Sequence, residues 1–189
     1  GLAVIGPEGV GTNKLRQSVG LVGRGPPHRA HFVQHHGHAV AGDLPGAVLF
    51  ACSMNAVRSP MAAAMLRHLA GTRVYVESAG VRAGDPDGFA SSVMHEIGID
   101  MSTHRPRTIA QLHDTSFDLI VTLSPEAHHQ ALELTRTMAV DVEYWPTIDA
   151  TVLQGSGNRE QLLNYYRSVR DTLFTKVRHR FGIEGGPSV

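Results

Sequence analysis

The 189-residue sequence has one cysteine, Cys52. A lone thiol cannot close a disulfide within its chain or build a multi-cysteine metal site. Charge of one sign is lacking too, since 17 Lys+Arg face 17 Asp+Glu. Such a balance supplies no overall phosphate-neutralising field, so a dedicated nucleic-acid partner is not expected. No apolar run approaches the ~20 residues that span a bilayer, and no membrane partner is expected. The apolar pieces at residues 2–5 and 19–22 are too short for a secretory h-region. With no such signal in the sequence, a reducing cytoplasm is the expected location. The first residue is Gly rather than Met, as a processed or missing start would leave it.

What is present fits one globular domain. Hydrophobic residues make up 42%, which excludes wholesale disorder. A chain of this length buries roughly 70% of the surface exposed when unfolded. Composition shifts near residue 44. Residues 1–43 are rich in Gly and His and carry Lys14, Arg16, Arg24 and Arg29 against Glu8 and Asp43. Gly25-Pro26-Pro27 and the scattered glycines deny this stretch helix or strand periodicity, so a flexible extension is expected. Its His28, His31, His35, His36 and His38 define no single coordination geometry, and no metal site is assigned to them. A domain is expected over 44–183, with a short tail at 184–189.

Within that domain strand and helix signals alternate. Residues 47–51 form a short apolar run. A helix over 61–70 follows, with Ser59 as its N-cap, Pro60 in the first turn and Gly71 just past its end. A strand is expected at 74–76, a helix over 87–97 stopped by Gly98, and a strand at 117–123. Ser124 opens a helix over 125–135, a fourth strand covers 140–144, and a long helix runs over 159–181. In the last helix Leu162, Leu163, Tyr166, Val169, Leu173, Phe174 and Val177 recur at three- and four-residue spacing. This order implies an α/β fold with an open parallel sheet and helices on both faces. Ligands of such sheets sit at the carboxyl ends of strands.

The turn after the first strand reads Cys52-Ser53-Met54-Asn55-Ala56-Val57-Arg58-Ser59-Pro60. Backbone N–H groups of such a loop, with the first turn of the following helix, form a cradle for an anion. Arg58 offers a planar fork of donors suited to two phosphate oxygens. Asn55 tolerates a left-handed backbone. A sulfur in that field is held as thiolate, and the same donors stabilise a phosphoryl group under attack.

Here the sequence resembles the low-molecular-weight protein tyrosine phosphatases. The shared pieces are Val48-Leu49-Phe50-Ala51-Cys52, then Asn55 and Arg58-Ser59-Pro60, and Glu77-Ser78-Ala79-Gly80. Further on come Gly98-Ile99-Asp100, His104-Arg105-Pro106-Arg107 and Phe117-Asp118-Leu119-Ile120-Val121. The resemblance runs from about residue 44 to about residue 181. It implies a three-layer α/β sandwich with a four-stranded parallel sheet and a phosphate loop after the first strand. It further implies a phosphotyrosine-type hydrolase working through a cysteinyl-phosphate without metal or cofactor. Cys52 then matches the nucleophile and Arg58 the phosphate clamp. Ser59 matches the donor to the thiolate, and Asn55, Ser78 and His104 the network that holds the loop. Ser53, Met54, Ala56 and Val57 complete the cradle. Asp149, ahead of the last helix, matches the general acid and base. The implied partner is a phosphorylated protein or a small phosphate monoester.

The sequence also departs from the family pattern. Met54 replaces a glycine, and Val57 replaces a second cysteine that protects the nucleophile in many members. Ala150 replaces the proline after the acid. An aromatic pair that grips phosphotyrosine is absent after Asp149, and residues 81–88 lack an aromatic. Two alternatives follow. One is an arsenate reductase that borrows an external small thiol, since the cysteines of an internal relay are missing. The other is a weakly catalytic module that binds phosphorylated ligands.

Overall fold

Strand β1 (Ala47–Cys52) is buried at every position after the first, because a central strand of a parallel sheet is covered on both faces. The structure, a computed structural model, describes residues 44–114 and 116–183. The extension expected over 1–43, with its histidines, and the tail at 184–189 lie outside the described residues. Helix α1 (Arg58–Ala70) leads to β2 (Tyr75–Gly80), and α2 (Gly88–His95) to β3 (Leu119–Thr122). Helix α3 (Pro125–Leu134) leads to β4 (Asp141–Tyr144), and α4 (Arg159–Phe181) closes the order. The sheet order is β2-β1-β3-β4 and every pairing is parallel.

Alternation along β1 divides the core. Val48, Phe50 and Cys52 belong to one buried cluster with residues of α1, α2 and α4. Leu49 and Ala51 belong to a second cluster with Ile120 and Ala127 and Ala131 of α3. The result is the three-layer sandwich implied by the resemblance. Phe50 is fully buried, with Trp145 and Phe181 edge-on at 6.0 and 6.4 Å between ring centroids. Burying each such side chain contributes about 1.5–3 kcal/mol. The chain leaves β1 toward β2 on one side and reaches β4 from β3 on the other. Right-handed crossovers in opposite directions place α1 and α3 on opposite faces. A crevice therefore opens at the carboxyl end of β1, where the direction reverses.

Several expected boundaries shift, each for a local reason. Helix α1 begins at Arg58, not at residue 61. Val57 holds the cap position, and no side chain caps the helix. Ser59 is therefore not the N-cap; its hydroxyl bonds elsewhere, as shown below. Gly71 does end this helix, with φ 59°. Strand β2 runs on through Glu77, Ser78 and Ala79, because its ladder with β1 continues to the Cys52–Gly80 pair. Backbone pairing there outweighs the turn-like side chains. Asp87 caps α2 through Ala90 N–H instead of opening it. Strand β3 is shorter than the 117–123 expected. Ser124 caps α3, and α4 has the expected bounds.

Candidate active site

Cys52 ends β1, and the loop that follows turns directly into α1. Cys52 is 2% exposed, and its sulfur lies 3.0 Å from the Ser59 hydroxyl. Asn55 takes φ 52°, and among the described residues it is the one non-glycine in that left-handed region. A short amide side chain can hold this conformation by local hydrogen bonds. Asn55 does so with long-range partners as well. Its Nδ2 donates to Ser59 Oγ at 2.9 Å and Ser78 Oγ at 3.0 Å, and its Oδ1 accepts from Arg107 N–H at 3.0 Å. Its carbonyl accepts from His104 Nε2 at 2.8 Å. Since a carbonyl only accepts, that nitrogen carries the proton. Burial holds His104 below the ordinary histidine range, against the pull of the Asn55 carbonyl, and the charges of Arg67, Arg107 and Arg105 act with burial.

Asn55, Ser59, Ser78 and His104 are thus brought together around the loop. Met54 causes no conflict, because its φ is not in the region that demands glycine. It is partly exposed, and its carbonyl accepts from Gly84 N–H at 2.8 Å. Among the described residues no internal hydrogen bond satisfies the N–H groups of residues 54–58. Buried donors seldom stay unpaired, and a helix start that lacks a capping side chain keeps its own free. An oxyanion completes such a set.

Arg58 is 6% exposed and crosses to the loop before α4. Its Nη1 donates to the Thr147 carbonyl at 3.1 Å and its Nη2 to Asp149 Oδ2 at 2.8 Å. A longer contact of 3.4 Å reaches Ser53 Oγ. The other Asp149 oxygen accepts from Thr151 N–H at 3.0 Å and Thr151 Oγ1 at 2.7 Å. Asp149 thereby caps the short 3-10 turn Ala150–Leu153, and Ala150 is fully buried. This cap stiffens the turn where a proline is missing.

Several supporting residues had no role assigned from the sequence, although Gly80 and Arg107 lie in the shared pieces. Arg107 acts mainly through its backbone N–H, which no residue type announces; its side chain pairs with Glu77. Gly80 lies so close to the loop that a Cβ would sit 2.8 Å from Asn55 N and 2.3 Å from the Arg82 carbonyl. Glu126, paired with Arg82 at 3.0 Å, is held below the usual carboxylate range by Ser53, then by Arg82, with a smaller effect of Arg58. Thr151 closes an Asx turn on Asp149 through its backbone N–H, which residue type does not announce, and its hydroxyl adds a second bond.

A buried sulfur, an arginine fork, unpaired N–H groups and a carboxylate therefore meet at the crevice. Such a set can bind a tetrahedral oxyanion, attack its centre and exchange a proton. The family model "Low molecular weight phosphotyrosine protein phosphatase" matches residues 47–179. "Arsenate reductase 2" of Staphylococcus epidermidis is 37% identical over 82 residues, 42% of this chain. That match spans 61% of the relative's own length. "Arsenate reductase" of Bacillus subtilis is 29% identical over 69% of this chain and 91% of that protein. The solved structure of the YwlE arginine phosphatase from Geobacillus stearothermophilus superposes with a TM-score of 0.60 at 25% identity. It covers 73% of this chain and 92% of that one.

Proposed function

Because the chain belongs to the low molecular weight phosphotyrosine protein phosphatase family, we propose that it hydrolyses phosphate monoesters through a phosphoryl group carried on Cys52. One observation supports this most strongly. The Asp149 carboxylate rests on the Arg58 fork, 2.8 Å away, at the edge of the cradle that Cys52 opens. An oxyanion seated on Arg58 takes over that fork. The carboxyl it displaces is then free beside the ester oxygen.

In the first step the Cys52 thiolate attacks phosphorus. The S–P bond forms, the P–O bond to the leaving group breaks, and protonated Asp149 gives its proton to the leaving oxygen. The loop N–H groups and Arg58 hold the three equatorial oxygens, which carry the charge of the transition state. The Ser59 hydroxyl, 3.0 Å from the sulfur and 3.3 Å from the Ala79 carbonyl, turns its single hydrogen to the thiolate, which can only accept, while Asn55 Nδ2 donates to the Ser59 oxygen. In the second step the Asp149 carboxylate takes a proton from water, which attacks phosphorus and releases Cys52. The exposed neighbours of the acid, Ile148 and Val152, are aliphatic. An aryl leaving group would meet apolar surface there without ring stacking, so a phosphorylated protein and a small monoester both fit as substrates.

The names of the bacterial relatives favour a second reading, arsenate reduction. Cys52 would attack arsenic, forming an S–As bond as one arsenate oxygen leaves as water. An external thiol would then attack the Cys52 sulfur, the S–As electron pair staying on arsenic, which releases arsenite and leaves a mixed disulfide. A second thiol would restore Cys52. The single cysteine of this chain means that both thiols come from outside. Reduced protein should hydrolyse p-nitrophenyl phosphate with an acidic optimum, and Cys52→Ser or Arg58→Ala should abolish it. Arsenite formed from arsenate only with added small thiol, without ester turnover, would instead support the reductase. Vanadate binding with neither reaction would leave a binding module.

A further inference from the structure

The 3-10 turn that carries Asp149 ends next to a buried polar group which the proposed chemistry does not use. Tyr166 of α4 is fully buried, yet its hydroxyl donates to Asp87 Oδ2 at 2.8 Å. Gln154, the residue after the turn, donates from Nε2 to Tyr166 Oη at 2.7 Å and to the same Asp87 oxygen at 2.9 Å. The second Asp87 oxygen is taken by Ala90 N–H at the start of α2. Burial, followed by the Asp87 bond and charge, pushes the Tyr166 hydroxyl upward, so it stays a donor.

These contacts join the two walls of the crevice. The segment that ends at Asp87 is tied to the phosphate loop, since Val81, Arg82 and Gly84 donate backbone N–H groups to the carbonyls of Cys52, Ser53 and Met54. The segment that ends at Gln154 carries Asp149 at its other end. We propose that Tyr166, Asp87 and Gln154 form a clasp that sets the distance of Asp149 from the cradle, and that Tyr166 is a positioning residue for proton transfer. A hydroxyl buried only for packing would need one partner. This one meets both walls, and its ring packs against Phe89 at 5.5 Å between centroids. Phenylalanine would fill the same space.

The inference rests on the reading of Asp149 as the acid, and the test separates the two. Proton donation matters little for a good leaving group and much for a poor one. The value kcat/KM reports the steps up to release of the leaving alcohol. Values for phenyl phosphate and p-nitrophenyl phosphate are to be compared in wild type, Tyr166→Phe, Gln154→Ala and Asp149→Ala, with vanadate affinity measured alongside. Tyr166→Phe and Gln154→Ala should lose about 10-fold on phenyl phosphate, less than about 3-fold on p-nitrophenyl phosphate, and leave vanadate affinity unchanged. Asp149→Ala should show the same selective loss, only larger. Equal losses on both esters, or a parallel loss of vanadate affinity, would reduce the clasp to a structural role and overturn the inference. So would Tyr166→Phe and Gln154→Ala with no effect beside a selective Asp149→Ala. If wild type turns over neither ester, or if Asp149→Ala shows no leaving-group dependence, the acid assignment fails and the clasp fails with it.

Discussion

Asn55 concentrates more of the site than any other single residue. It combines a left-handed backbone with bonds to Ser59, Ser78, Arg107 and His104. Asn55→Ala removes the side-chain partners of buried groups, each costing about 1–3 kcal/mol when left unpaired. A lower Tm together with loss of vanadate binding is expected, and a calorimetric titration checks it. Gly80→Ala drives a Cβ into backbone atoms of the same loop, at a cost of about 1–3 kcal/mol. The loop should then fail to bind oxyanion even where the fold survives. For His104 the sign follows from burial, which lowers its proton affinity in the folded state. The unfolded chain takes up the proton first, so this contribution is complete above about pH 6.5 and is lost as pH falls. Wild-type Tm should drop between pH 7 and pH 5 more steeply than that of His104→Gln; parallel curves would contradict this. Cys52, Arg58 and Asn55 were legible because residue type itself announces their chemistry. Arg107 and Gly80 were not, since a backbone N–H and a missing Cβ act only once distant segments meet.

Elements were legible where side chains decide them and less so where backbone pairing does. Helix α4 announces itself by spacing, and α3 by Ser124 and Pro125. Strand β2 carries Glu77 and Ser78 yet continues to Gly80, because its neighbour β1 extends to Cys52. The start of α1 shows the reverse: Ser59 looks like a cap, but its hydroxyl lies among Cys52, Asn55 and the Ala79 carbonyl. As a cap Ser59 would accept from the N–H of residue 61 or 62, but Met61 N–H donates to the Val57 carbonyl instead. At this scale also lies the contact between α1 and the turn before α4. Arg58 holds Asp149 at 2.8 Å, so carboxylate and oxyanion compete for one fork. Asp149→Ala should slow phenyl phosphate cleavage by 10²-fold or more, within the range of about 10²–10⁴ for a lost general acid. Vanadate should bind the variant at least as tightly as wild type. Weaker binding would mean that Asp149 holds Arg58 in place rather than competing with its ligand.

For the whole molecule, the sheet order β2-β1-β3-β4 puts the reversal of chain direction beside β1. The cradle is therefore where a parallel α/β sheet places its ligand. Two core clusters brace the strand that carries the Cys52 sulfur from opposite faces, so Cys52 stands on rigid structure. Strand and helix alternation made this architecture readable in advance. The meeting of α1, the segment after β2 and the turn before α4 was not readable, because it depends on residues far apart in sequence. On the proposed reading, substrate choice belongs to the rim, where the aliphatic Ile148 and Val152 are exposed, and the chemistry to the cradle. The most direct measurement is a rapid acid quench of wild type turning over p-nitrophenyl phosphate, followed by mass analysis of the peptide containing Cys52. A burst of p-nitrophenol with one phosphoryl group on Cys52, absent in Cys52→Ser, is the predicted result. Steady turnover with Cys52 unmodified, and an active Cys52→Ser enzyme, would contradict the account.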